Sequence, residues 1–77
     1  MNDKSVLGHI EDLMAEERRL LAATGLDADE QNRLNEIGVE LDQYWDLLRQ
    51  RRALRDAGEN PDQAELRPPG IVENYEQ

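Results

Sequence analysis

Cysteine is absent from the 77 residues, which removes disulfides and thiolate metal sites as staples and leaves the redox compartment open. No apolar run approaches the length of a membrane span or the core of a signal peptide, and Met1-Asn2-Asp3-Lys4-Ser5 leads straight into an amphipathic stretch. A cytoplasmic location, with no membrane partner, is the expectation. Proline is confined to positions 61, 68 and 69, so no proline interrupts a helical reading before residue 60. Threonine occurs once, at Thr24, and histidine once, at His9.

Positive charge is scarce and unevenly placed. Nine basic against eighteen acidic side chains leave a net charge of −9, which opposes general binding to nucleic acid or anionic lipid. Residues 1–48 hold twelve acids and four bases, residues 49–57 hold four arginines and Asp56, and residues 58–77 hold five acids and Arg67. A basic island therefore sits inside an acidic molecule.

Val6, Ile10, Leu13, Met14, Leu20 and Leu21 recur at helical spacing and predict a first amphipathic helix over residues 5–23. Ser5 or Asp3 is the expected cap, and Thr24-Gly25 the stop. Asp27-Ala28-Asp29-Glu30 has the pattern of a capping box, and opens a second helix over residues 28–57 with the stripe Leu34, Ile37, Leu41, Tyr44 or Trp45, and Leu48. So short a connection makes the two helices antiparallel neighbours. Counting outward from the turn sets Leu13 near Gly38, Ile10 near Leu41 and Val6 near Trp45, which reads Trp45 as the largest core anchor. At ~1.5 Å per residue the helices would measure roughly 28 and 45 Å, leaving about ten residues, 48–57, as an overhang that carries the arginines.

The fold class is thus all-α: a coiled-coil-like antiparallel hairpin over residues 1–58, with a proline-containing acidic tail over residues 59–77. Asn60-Pro61-Asp62 and Arg67-Pro68-Pro69-Gly70 are turn and extended-chain signals. The tail either stays free or folds back so that Leu66, Ile71, Val72 and Tyr75 cover the overhang. One seam between two helices is a small core for this length, which predicts a homodimer forming a four-helix bundle. A second rank beside the main stripe, Tyr44, Leu47 and Leu54, is the expected contact.

Catalysis is not expected. His9 with Asp12 lacks a third strong ligand and reads as a surface histidine; Ser5 and Thr24 lack an orienting base; neighbouring carboxylates have no cleft to shift their pKa values. No catalytic, cofactor or metal residue is assigned. Arg51, Arg52 and Arg55 form a ridge able to take an acidic protein partner. The favoured reading, however, is complementarity to the negative end of the helix dipole together with pairing to Asp56, Glu59 or the acidic tail. An acidic tip at Asp27, Asp29 and Glu30 resembles in architecture the tips of secondary-channel regulators of bacterial RNA polymerase, although a capping box already accounts for Asp27 and Glu30.

The block Val39-Glu40-Leu41-Asp42-Gln43-Tyr44-Trp45-Asp46-Leu47-Leu48-Arg49-Gln50-Arg51-Arg52-Ala53, the acidic first helix and the ending Val72-Glu73-Asn74-Tyr75-Glu76-Gln77 resemble a family of short actinobacterial proteins of unknown function. The resemblance spans nearly the whole chain and implies no activity or ligand. The leading functional expectation is a non-catalytic protein-protein interaction module using Tyr44, Leu47, Arg51, Arg52, Leu54, Arg55 and Tyr75. The alternative is a regulator of transcription or translation acting through the acidic tip or the arginine ridge.

Overall fold

The computed structural model describes residues 2–70; Tyr75 and the rest of the terminal segment lie outside the described residues. Two α-helices pack antiparallel, α1 over Asp3–Ala22 and α2 over Ala28–Asp56, followed by a 3-10 turn at Pro61–Gln63. The cap of α1 is Asn2 rather than Ser5 or Asp3: its Oδ1 accepts from the Ser5 N–H at 2.8 Å. With Asn2 as the cap, the Asp3 carboxylate is free to reach across to the other helix. Gly25, at φ +72, turns the chain where a side chain would be strained.

The start of α2 is the capping box read from the sequence. The Glu30 N–H donates to Asp27 Oδ1 at 2.8 Å, and the Asp27 N–H donates to Glu30 Oε1 at 3.1 Å. Its far end closes in a Schellman motif around Gly58, at φ +76. There the Gly58 N–H donates to Arg55 O and the Glu59 N–H to Leu54 O, at 3.0 and 2.8 Å.

This sharp stop sends the chain back along α2. The Arg51 guanidinium donates to Pro61 O at 3.2 Å, the Gln50 Nε2 to Glu65 O at 2.9 Å, and the Gln43 Nε2 to Arg67 O at 3.1 Å. As the tail advances its partners on α2 step backward in number. Residues 61–67 are therefore docked against α2.

The main core joins Val6, Ile10, Leu47 and Leu48, with Leu41, Tyr44 and Ala64 packed against it; Leu13 and Ile37 are buried nearer the turn. Two expectations are corrected here. Trp45 is 41% exposed and does not anchor the core. Leu47, expected on an outer rank, is only 5% exposed. The tail explains both, because by covering the flank of α2 that carries Gln43, Asp46, Leu47 and Gln50 it draws the buried face toward that side and away from Trp45. The overhang is also filled: α1 begins early enough for Asp3 to reach Arg51 and Arg55.

Candidate functional site

Charged side chains clamp the hairpin at two levels. Near the turn, Arg33 makes a bidentate pair with Glu16, Nε to Oε2 at 2.6 Å and Nη2 to Oε1 at 2.8 Å, with Glu36 and Glu40 each 3.5 Å from Nη1. The pair holds the Glu16 carboxyl below its ordinary range and raises the Arg33 guanidinium. Midway along, His9 stacks on Tyr44, ring centroids 5.0 Å apart and planes 9° from parallel.

At the open end, Arg51 is buried and gathers three segments. Its Nε donates to Asp3 Oδ1 at 2.6 Å, and its Nη1 to Asp62 Oδ1 at 3.0 Å and to Pro61 O. Arg55 adds a bond from Nη1 to Asp3 Oδ2 at 2.6 Å. The Arg51 hydrogen bond, with Arg55 beside it, holds the Asp3 carboxyl down; Asp3 and then Asp62 raise Arg51. Buried Asp46 accepts from Gln50 at 2.8 Å and lies 3.5 Å from Arg67. Among the described residues no buried side-chain polar atom lacks a partner.

The proposed ridge is thus divided. Arg51 and Arg55 serve internal ion pairs, while Arg52 is exposed. Tyr44 and Leu54 are half-buried, and Leu47 is in the core. At the tip, Asp27 and Glu30 satisfy each other's backbone, and Asp29 is exposed. A cavity of about 180 Å³ lies between α2 and the returning tail, lined by Tyr44, Leu47, Arg51, Ala64 and Leu66.

The flank away from His9 and Glu16 is covered by none of the described residues and carries large apolar side chains. On α1, Leu7, Met14 and Leu21 remain 40, 39 and 63% exposed. At about 100° per residue they fall beside the buried stripe, on the side away from His9 and Glu16. On α2, Trp45 falls on that same side, away from Gln43, Asp46 and Gln50. Sequence reasoning assigned Met14 and Leu21 to the buried stripe and passed over Leu7; the seven-residue spacing of the three was the signal available. It also passed over Asp3 as a partner of Arg51 and Glu16 as the partner of Arg33, whereas pairing of the arginines with the acidic tail is met at Asp62.

Among the described residues no group of three or more histidine and carboxylate side chains is gathered to hold a metal ion. No helix among them is long and apolar enough to cross a membrane.

The model of the family described as "Protein of unknown function (DUF2630)" matches residues 2–77. Uncharacterized proteins of Mycobacterium tuberculosis and Mycobacterium bovis are 51% identical to the chain, with 95% of this chain and 88% of theirs covered. No solved structure matches. The match over residues 2–77, together with relatives 51% identical over nearly the whole chain, places the chain in the DUF2630 family of proteins of unknown function.

Proposed function

We propose that this protein is a non-catalytic protein-protein interaction module whose contact surface is the uncovered flank of the hairpin. The observation that carries this reading is the gathering of Leu7, Met14, Leu21 and Trp45, all at least 39% exposed, on a flank that the described residues of the returning tail leave open. A row of large apolar side chains at the surface of so small a chain is costly to solubility unless another surface covers it. The Arg33–Glu16 pair and the Arg51 clasp tie the two helices together, so binding need not order the hairpin first.

The absence of a catalytic assignment has its own physical support. The two shifted carboxyls, Asp3 and Glu16, are held down by arginines, opposite to the raised pKa of a general acid working near neutrality. The regulator reading has less to draw on, because Arg51 and Arg55 are engaged by Asp3 and Asp62, and Asp27 and Glu30 by each other.

Site-specific photocrosslinking in the cells that make the protein tests the reading. A benzophenone residue at Met14 or Trp45 is expected to give covalent protein adducts, and one at Gln63, on the tail side, to give none. Adducts absent from Met14 and Trp45 would sink the proposal.

A further inference from the structure

Resting on the interaction-module reading, we infer that the occupant of the uncovered flank is a second copy of the same chain, packed α1 against α1, antiparallel, about a twofold axis near Met14. The spacing is the first support. Leu7, Met14 and Leu21 recur every seven residues, the period at which one helix presents a continuous seam to another. The buried stripe of Val6, Ile10 and Leu13 already serves α2, so α1 carries a second seam that none of the described residues covers.

Charge is the second support, and it selects the orientation. Glu11 and Arg18 follow Leu7 and Met14 by four residues and lie on the outer edge of the seam. In an antiparallel pair centred on Met14, Leu7 meets Leu21 of the second copy, and Glu11 lies beside Arg18 of the second copy, twice by symmetry. A parallel pair would set Glu11 level with Glu11 and Arg18 level with Arg18. The strip Leu7, Glu11, Met14, Arg18, Leu21 also sums to zero charge within a chain of net charge −9, so it is the part of α1 that a second acidic copy approaches without repulsion.

Size is the third. Two packed helices offer a face about 20 Å wide along an α1 of about 30 Å, or about 600 Å² in projection. Accessible area exceeds projected area on a ridged surface, which brings the face near the ~800 Å² per partner of stable specific interfaces. An isologous contact of this kind closes at two copies. The seam differs from the rank of Tyr44, Leu47 and Leu54 expected from sequence, because the core and the returning tail occupy much of that rank.

Sedimentation equilibrium of the full chain over a concentration series, with circular dichroism to confirm folding, decides the matter. The parent is expected to dimerise in the micromolar range. Arg18→Glu sets Glu11 against an acid at both symmetric sites and is expected to weaken association roughly tenfold; the double swap Glu11→Arg with Arg18→Glu restores it. Met14→Glu is expected to give a helical monomer. A parent that stays monomeric at every concentration overturns self-association; crosslinks from Met14 to a different protein would then leave the interaction reading standing, and no crosslinks would remove both. A dimer indifferent to Met14→Glu and to the charge swap overturns this face.

Discussion

Asp3 and Arg51 stand 48 positions apart in the chain and 2.6 Å apart in space, Nε donating to Oδ1, at the open end of the hairpin. Through Arg51 the first turn of α1, the last third of α2 and the 3-10 turn share one guanidinium. Arg55 shares only the first of these contacts and is exposed.

That difference ranks two substitutions. Arg51→Ala leaves Asp3 with one partner, and removes the partner of Asp62, the donor to Pro61 O and the buried stem. Arg55→Ala leaves Asp3 paired and the tail docked. The fall in thermal midpoint, followed by circular dichroism, is expected to be roughly double or more for Arg51→Ala. Equal falls would show that the clasp to the tail contributes nothing.

The same ion pairs fix a dependence on pH. Asp3 and Glu16 titrate below their ordinary values of 3.8 and 4.5 in the folded chain. Carboxyls of this kind stabilise fully above the ordinary values, and the contribution is lost as pH falls through the lowered ones. Glu16→Gln is therefore expected to be less stable than the parent at neutral pH, with the gap narrowing below about pH 4.5 as Glu16 in the parent takes up its proton. Thermal melts across that range check it, and a gap constant down to acid pH would contradict it.

A third expectation separates core from surface. Ile10 is 2% exposed and Trp45 41%. In a Met14→Glu background, which removes self-association from the measurement, Ile10→Ala should cost ~2–5 kcal/mol by urea unfolding. Trp45→Ala should cost about 1 kcal/mol or less. A larger cost for Trp45→Ala would restore it as the anchor read from the sequence.

What the sequence could say depended on how local the signal was. The Asp27–Glu30 capping box, the stop at Gly25 and the antiparallel pairing forced by a short turn rest on neighbours in the chain, and the structure has each of them. The choice between Tyr44 and Trp45 for the buried face was not local. Periodicity allowed both, and the docked residues 61–67, whose placement depends on bonds from Gln43, Gln50 and Arg51, decided it. The arginine block shows the same limit: its charge was plain, but the acids that meet Arg51 come from opposite ends of the described chain. The exposed row on α1 went unread because Met14 and Leu21 fit the edge of the core stripe as well as a seam of their own.

The clasp at Arg51 also carries an expectation for the time course of folding. Contacts near the turn, such as Arg33 with Glu16, close small loops and form early, so that the helices zip outward from Gly25. Arg51 has to wait for both Asp3 and Asp62 to arrive, and its bonds belong to the last stage. Interactions made after the barrier leave the folding rate alone and govern how slowly the native chain comes apart. Arg51 is thereby expected to act as a latch, and Arg51→Ala to speed unfolding more than it slows refolding in stopped-flow measurements; an effect confined to refolding would contradict this.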